Sequence, residues 1–335
     1  MKRAIPILTA FLLCLAFAVC GAFVGRSASA ADDAKLELKL HFTEGQRLTL
    51  TTAVAQETTR TWNNQERTSK ETTSTTWALK VLGVDDDGTA TVEVTLGAIA
   101  MKSDGGRMSY EYDSANPPDE MPRAAAPYAA VVGKTFTMKL TSGGKVTGFE
   151  GVDALLKAAQ DAIPDEGRGR GRWGRDRMAA TFSEDALKQT MEGVFGFLPG
   201  EAVAVGGSWT RTVDADHGVP VLAEEKYTLT KLEEGTATIE LEAKLKPQEK
   251  DDEAEGPRVT YDVTGTLKGT VAVDEATGCL FKTVIAQELK GDTIMSGFRG
   301  DDTERTTPIT SKATITVEAK ETQPDNETEG TPDSE

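Results

Sequence analysis

The segment most informative about the fold is Gly88-Thr89-Ala90-Thr91-Val92-Glu93-Val94-Thr95-Leu96. Its apolar residues alternate with Thr and Glu, which is the period of a strand that buries one face. The preceding Asp86-Asp87-Gly88 is typical of a hairpin turn. A second copy of the pattern, Gly235-Thr236-Ala237-Thr238-Ile239-Glu240-Leu241, follows another acidic turn later in the chain. The two copies predict antiparallel hairpins in two related halves.

Two further matches occur in the same order along the chain: Gly45-Gln46-Arg47-Leu48-Thr49 with Gly206-Gly207-Ser208-Trp209-Thr210, and Gly144-Lys145-Val146 with Gly278-Cys279-Leu280. Residues 48–62 and 65–84 are rich in threonine, whose branched β-carbon favours strands, and we expect two long strands there. The sequence therefore predicts a mainly β protein with two related antiparallel β halves, arranged as a sandwich or an open barrel.

The periodicity changes between the two halves. Apolar residues then recur at helical spacing in two groups, which are Val152, Leu155, Leu156, Ala159 and Ile163, and Leu187, Met191, Val194, Phe195 and Leu198. Ser183 is a good N-cap for the second helix. We therefore expect a two-helix central insert. The Arg/Gly-rich segment 167–177 between these helices is predicted to be a mobile loop.

The N-terminus has the pattern of a secretory signal. Lys2 and Arg3 precede an apolar run over residues 4–24, and Ala28-Ser29-Ala30 is a cleavage site, so we place the cut after Ala30. Two alternatives remain open. The apolar run is long enough to stay as an uncleaved anchor, and lipidation at Cys14 or Cys20 would give a lipoprotein, although neither follows a small residue.

These signals give a plan for the whole chain. Residues 1–30 form the signal peptide, 31–148 the first β half, 149–200 the helical connector with its Arg/Gly-rich loop, 201–320 the second β half and 321–335 a disordered acidic tail. The expected location is the periplasm, the cell surface or the medium. No membrane span is expected in the mature chain.

Charge limits the partners of the mature protein. Cleavage removes three of 37 basic residues and no acidic one, so the net charge becomes 34 − 54 = −20. Such a chain repels nucleic acid and anionic membrane surfaces, and nucleic acid is therefore excluded as a partner. A protein, lipid or glycan partner remains possible.

Residues that carry chemistry are scarce. Cys279 is the one cysteine left after cleavage, and the apolar residues around it predict a buried thiol without a disulfide. The mature chain has only His41 and His217, both in polar surroundings, so neither a catalytic triad nor a transition-metal site is predicted. The acidic run ending at Gly88 lacks a carboxylate at the twelfth loop position, where Leu96 stands, and is interpreted as a turn rather than a calcium loop. No catalytic residue, metal ligand or cofactor is predicted.

Four stretches resemble an uncharacterised family of exported bacterial proteins that is known only as a domain of unknown function. They are Phe42-Thr43-Glu44-Gly45-Gln46, Tyr112-Asp113-Ser114, Gly133-Lys134-Thr135-Phe136-Thr137 with Gly144-Lys145-Val146, and Leu198-Pro199 with Val205-Gly206-Gly207-Ser208-Trp209. The resemblance implies export and β-architecture. It transfers no active site, because the family has no established activity.

Three functions are compatible with these observations. The leading hypothesis is an exported, non-enzymatic β-protein that binds a partner or ligand, for which Trp62 beside a turn is the best exposed aromatic candidate. The second is a carrier of apolar ligands, in which a curved sheet and the two helices enclose a cavity lined by Leu155, Leu187, Met191 and Phe195. The third is a carboxylate-dependent hydrolase, which requires two acidic side chains facing each other in a cleft.

Overall fold

Strands make up most of the computed structural model, which describes residues 35–62, 65–105, 109–163, 170–216, 219–248, 258–296 and 304–322. The strands found in these residues are β1 (Arg47–Trp62), β2 (Gln65–Val84), β3 (Ala90–Asp104), β4 (Tyr110–Asp113), β5 (Thr135–Leu140), β6 (Val146–Glu150), β7 (Ser208–Asp216), β8 (Pro220–Glu233), β9 (Thr236–Pro247), β10 (Arg258–Asp274), β11 (Leu280–Ser296) and β12 (Arg305–Glu321). The helices are α1 (Ala126–Ala129), α2 (Val152–Asp161), α3 (Arg170–Phe182) and α4 (Glu184–Phe195).

The strands form one sheet with the order β6-β5-β3-β2-β1-β12-β11-β10-β9-β8-β7, and β4 pairs with β3 beside this path. The pairings are antiparallel. The predicted mainly β, antiparallel architecture is confirmed. β12, the last strand of the second half, pairs with β1 of the first half on one side and with β11 on the other, while β6 and β7 are the two edge strands.

The first hairpin shows why the sequence forms strands here. The predicted strands at 48–62 and 65–84 are confirmed as β1 and β2. Leu50 lies opposite Trp77, and both are buried, while the threonines between the apolar residues face the other way. We call the face with the buried side chains the core face and the opposite one the outer face.

Both halves repeat the same backbone hydrogen bonds. The Gly45 amide donates to the Val81 carbonyl in the first half, at 2.9 Å, and the Gly206 amide donates to the Leu229 carbonyl in the second, at 2.7 Å. Both glycines have positive φ, 82° and 87° respectively, a conformation that favours glycine. The sequence matches noted at these positions therefore correspond to equivalent places in the fold.

The turns that follow lie at corresponding places, although the second is one residue longer. The Gly144 amide donates to Thr141 O between β5 and β6, and the Gly278 amide donates to Asp274 O between β10 and β11, both at 2.9 Å. The segment before β1 contacts each of these turns. Leu40 N–H donates to Ser142 O, and the adjacent His41 N–H donates to Thr277 O. This segment thereby ties the two halves together.

The helical insert differs in part from its prediction. Helices α2 and α4 are confirmed, and Ser183 caps α4 by accepting from the Ala186 amide at 3.3 Å. The Arg/Gly-rich segment was expected to be a loop, but from Arg170 onward it is helix α3, so three helices rather than two separate the halves. Met178 and Phe182 at the end of α3 are buried, and their packing stabilises a helix that the local composition disfavours.

The helices pack against one end of the core face. The main hydrophobic cluster joins α2, α3 and α4 to strands of both halves. A second, smaller cluster contains side chains of β8 to β12 only, and these are Val221, Ala223, Ala243, Leu245, Val263, Leu267, Leu289 and Ile309. The core face of the second half is therefore buried along most of its length, whereas the first half is buried mainly near the helices.

Several predictions fall outside the described residues. These are the signal peptide, most of the acidic tail and His217. They remain predictions. All described residues lie in one compact unit, Ala34–Glu335. Within them, no helix combines the length and the apolar character needed to cross a membrane.

Candidate functional site

The four apolar residues proposed to line a cavity lie in the main hydrophobic cluster. Leu155 is on α2, and Leu187, Met191 and Phe195 follow one face of α4, with 0 to 3% of each residue exposed. Phe195 contacts Phe42 edge-on, with ring centroids 6.5 Å apart. The structure thus brings the four together as packed core residues. Their role in ligand binding stays a prediction.

The tryptophans occupy different environments. Trp77 is buried and packs edge-on against Phe136. Trp209 is half-buried and stacks on Tyr227, with ring centroids 5.7 Å apart. Trp62 is the last residue of β1, and its side chain lies outside the described part of the structure.

Helix α4 joins the two edge strands of the sheet. On one side, the Val146 amide at the start of β6 donates to Glu192 Oε1 at 2.9 Å. On the other side, Arg211 Nη1 of β7 donates to the Glu192 carbonyl at 3.2 Å. Trp209 Nε1 donates to the carbonyl of Phe197, just beyond the helix, at 2.7 Å. We call this contact region, residues 192–197 with β6 and β7, the helical junction.

A partly buried ion pair adjoins the helical junction. Arg211 Nε donates to Glu225 Oε2, and the side chains of Arg211 and Glu225 are only 20% and 7% exposed. Tyr227 OH donates to the same oxygen at 2.8 Å, and its ring lies under the guanidinium, 5.7 Å from Arg211 Cζ. Burial raises the pKa of Tyr227, and the neighbouring Glu225 carboxylate raises it further, so the phenol stays protonated and continues to donate.

Sequence reasoning missed this pair, although a signal was present. On β8, Ala223, Tyr227 and Leu229 all face the core, so Glu225 is a carboxylate at an inward position of an alternating strand. A charge at such a position requires a partner. Arg211 lies directly opposite in the register, but that register could not be read from the local pattern.

A groove of about 400 Å³ crosses the neighbouring strands β2, β1, β12 and β11. Its lining consists of Ala55, Gln56, Glu57, Lys70, Glu71, Thr72, Ala286, Gln287, Glu288, Lys312, Ala313 and Thr314. Thr58 is buried on the core face, so the adjacent Glu57 projects from the outer face. The same alternation places eight of the twelve lining residues on the outer face, where the groove opens.

Charges alternate across the groove from strand to strand. Lys70, Glu57, Lys312 and Glu288 stand in one cross-strand row. Lys70 Nζ lies 3.3 Å from Glu57 Oε2, and Lys312 Nζ lies 3.1 Å from Glu288 Oε1. All four side chains are more than half exposed, so these pairs contribute little to stability and remain accessible to a partner.

Other reactive groups among the described residues do not form a site. Cys279 is half-buried beside the β10–β11 turn, and burial raises the pKa of its thiol to about 11, which suppresses the thiolate. His41 is exposed. The acidic turn before β3 is confirmed, since Asp87 Oδ1 accepts from the Thr89 amide at 2.9 Å. Among the described residues, no cluster of three or more His, Cys, Asp or Glu side chains is arranged to hold a metal ion.

These features define a class: an antiparallel β-sheet protein whose edge strands are joined by a helical insert. The chain belongs to the family of unknown function DUF6263, whose model matches residues 87–280, more than half of the sequence. The match extends from the turn before β3 to the start of β11 and includes the whole insert. The resemblance to an uncharacterised family is therefore confirmed. Among curated proteins, none matches the chain in sequence.

Several solved structures align with most of this chain at low similarity. Lipovitellin, from a structure titled "Lipid-protein interactions in lipovitellin", has 6% identity and a TM-score of 0.44 over 85% of this chain, which spans 26% of the lipovitellin chain. An outer membrane channel from Pseudomonas putida F1 has 7% identity and a TM-score of 0.19, covering 82% of this chain and 97% of the channel. The translocator domain of the autotransporter NalP from Neisseria meningitidis has 8% identity and a TM-score of 0.20, covering 83% and 89%. Likenesses this low carry no functional information.

Proposed function

We propose that this is an exported, non-enzymatic binding protein that holds a polar partner in the groove across β2, β1, β12 and β11. The observation that carries the proposal is the groove itself. It has a volume in the range of ligand sites, about 300–1,000 Å³, and a floor of small residues such as Ala55 and Ala286. The apolar interior behind the helices, by contrast, is packed with the protein's own side chains.

The lining determines what kind of partner fits. The row of two lysines and two glutamates on the outer face has no net charge, and Thr72 and Thr314 on the same face add neutral hydrogen-bonding groups. A glycan or a polypeptide segment with balanced charge satisfies these groups. A polyanion or a purely apolar chain does not.

The alternatives receive less support. A hydrolase of the carboxylate type requires an acidic group free to act, but Glu225, the buried carboxylate of the described residues, is already engaged by Arg211 and Tyr227. A carrier with a permanent dry cavity is disfavoured because Leu155, Leu187 and Met191 are packed in the core.

Filling the groove tests the proposal. Ala286→Trp places a large ring on the groove floor, and Ala78→Trp places the same ring on an exposed position of β2 outside the groove. Fluorescently labelled wild type is expected to bind a washed envelope fraction of the producing cells saturably. Ala286→Trp should lose at least tenfold in affinity and Ala78→Trp should lose none. Equal binding by both variants, or no saturable binding by the wild type, would refute the proposal.

Export is tested separately by mass spectrometry of the protein recovered from the envelope and the medium. The expected mature chain begins at Ala31, because the cut is placed after Ala30. Recovery of chains that still begin at Met1 would contradict a cleaved signal. This result is independent of the groove.

A further inference from the structure

Few hydrogen bonds hold the helical junction. Hydrogen bonds to the sheet are found at two residues of α4 and the segment just after it. Glu192 takes part in two of them, and the Phe197 carbonyl accepts a third. All three involve residues 192–197. The rest of the contact is apolar packing of side chains such as Met191 and Phe195.

The surface behind this junction is apolar and continuous. Leu187, Met191 and Phe195 of α4 belong to one cluster with core-face side chains of both halves, including Leu229 and Ile239 of the second half. Movement of α4 away from the sheet would uncover this apolar surface. The cluster is therefore complementary to an alkyl chain once the helix side chains leave it.

The rim of that surface carries a cation. Arg211 Nη1 donates to the Glu192 carbonyl, so this donor loses its partner when α4 moves. The Nε group of Arg211 still pairs with Glu225 and keeps the guanidinium at the rim. A free N–H of a guanidinium beside an apolar surface favours a ligand that combines an alkyl chain with an anionic oxygen.

We propose that α4 is a gate, and that the apolar surface behind it binds a single-chain amphiphile with an anionic head, such as a fatty-acid carboxylate. The alkyl chain of the ligand occupies the positions of the Leu187, Met191 and Phe195 side chains. Its anionic head accepts a hydrogen bond from Arg211. The gate lies at β6 and β7, whereas the groove lies on β2, β1, β12 and β11. This inference therefore does not depend on the proposed function.

Three variants of α4 separate the gate from a general loss of helix. Glu192→Ala removes the acceptor of the Val146 amide. Glu192→Gln keeps an oxygen at that place, and Lys188→Ala changes an exposed residue one turn earlier. Loss of one charge-assisted hydrogen bond shifts an opening equilibrium by about tenfold. Amide exchange in α4 is therefore expected to rise about tenfold in Glu192→Ala only, while β12 exchanges slowly in every variant.

The ligand is tested with 11-(dansylamino)undecanoic acid as a fluorescent probe. Its affinity should increase about tenfold in Glu192→Ala relative to the wild type, Glu192→Gln and Lys188→Ala, because a larger fraction of molecules is open. Palmitate should displace the probe at lower concentration than hexadecanol, which has the same chain length without the charge.

The gate, the apolar site and the anionic head can each be refuted. The gate is refuted if α4 in the wild type exchanges as slowly as β12, or if Glu192→Ala exchanges like Lys188→Ala. The apolar site is refuted if α4 opens but the probe does not bind, or binds all four proteins equally. The anionic head is refuted if hexadecanol competes as well as palmitate.

Discussion

The two halves of the sheet meet at two places, and these junctions are built differently. At one, β12 pairs with β1 over residues 48–60 and with β11 over residues 282–295. We call this the strand junction. At the other, α4 connects β6 to β7 through the Glu192 side chain and carbonyl. The turns of the two halves lie at corresponding places. The main difference lies in the element that contacts the strand after each turn, which is α4 for β6 and β12 for β11.

The difference shows how stability is distributed. A strand satisfies the backbone groups of both neighbours along its whole length, so no single side chain decides whether the strand junction holds. A helix satisfies its own backbone groups and must reach its neighbours with side chains. The helical junction therefore depends on a few named residues, and substitutions there should have larger effects than substitutions at β12.

The largest effect is expected from Arg211→Met. The substitution leaves the buried Glu225 carboxylate with only the Tyr227 hydroxyl and removes a donor from the Glu192 carbonyl. Leaving a buried charge unpaired costs about 3–5 kcal/mol. Urea denaturation should show this loss, while Arg211→Met combined with Glu225→Met should recover most of it. A loss below about 1 kcal/mol would mean that the pair does not hold the junction.

A somewhat smaller loss is expected from Gly144→Ala. The new methyl carbon would lie 2.0 Å from the Phe195 carbonyl oxygen, and φ at Gly144 is 77°. The left-handed conformation costs a non-glycine residue about 1–2 kcal/mol, and moving α4 away adds about 1–3 kcal/mol. The matched control is Gly88→Ala, since φ there is 81° but the nearest atom is 3.6 Å away.

Thermal unfolding of both variants measures that contrast. Gly88→Ala should show the conformational cost alone, and Gly144→Ala should unfold at a clearly lower temperature. Equal midpoints for the two variants would show that α4 moves without cost. That result would weaken the assignment of a close helix contact at the β5–β6 turn.

Trp209→Phe is expected to cost about 1 kcal/mol. The phenyl ring keeps the aromatic stacking on Tyr227 but removes the indole N–H that donates to the Phe197 carbonyl. The loss should appear as a lower urea midpoint and as faster amide exchange at the end of α4. An unchanged exchange rate there would indicate that this hydrogen bond does not fasten the helix.

Much of this fold could be predicted from local sequence. The threonine-rich runs of β1 and β2 and the Ser183 cap of α4 are local features, and each appears at the expected place. The order of the strands was not predictable in this way. The pairing of β12 with β1 joins residues such as Thr58 and Ser311, which are far apart in the chain, and no short-range pattern encodes that register.

The candidate sites were harder to predict than the fold. The groove arises because Ala55, Ala286 and the charged row come together across four strands, which requires the full register. Helix α3 was interpreted as a loop because its arginines and glycines hide the burial of Phe182. Tertiary packing overrides local propensity at such positions, and a single sequence does not reveal it.

The smallest effect is expected at the strand junction. Lys312→Ala removes the ion pair with Glu288 in the middle of β12, where the two side chains are 77% and 66% exposed. An exposed pair of this kind contributes about 0.2–1 kcal/mol, and the backbone pairing with β1 and β11 is untouched. The urea midpoint should therefore barely move, although the same substitution removes a positive group from the groove. A loss comparable to that of Arg211→Met would show that the strand junction also depends on single side chains, and the contrast between the two junctions would then disappear.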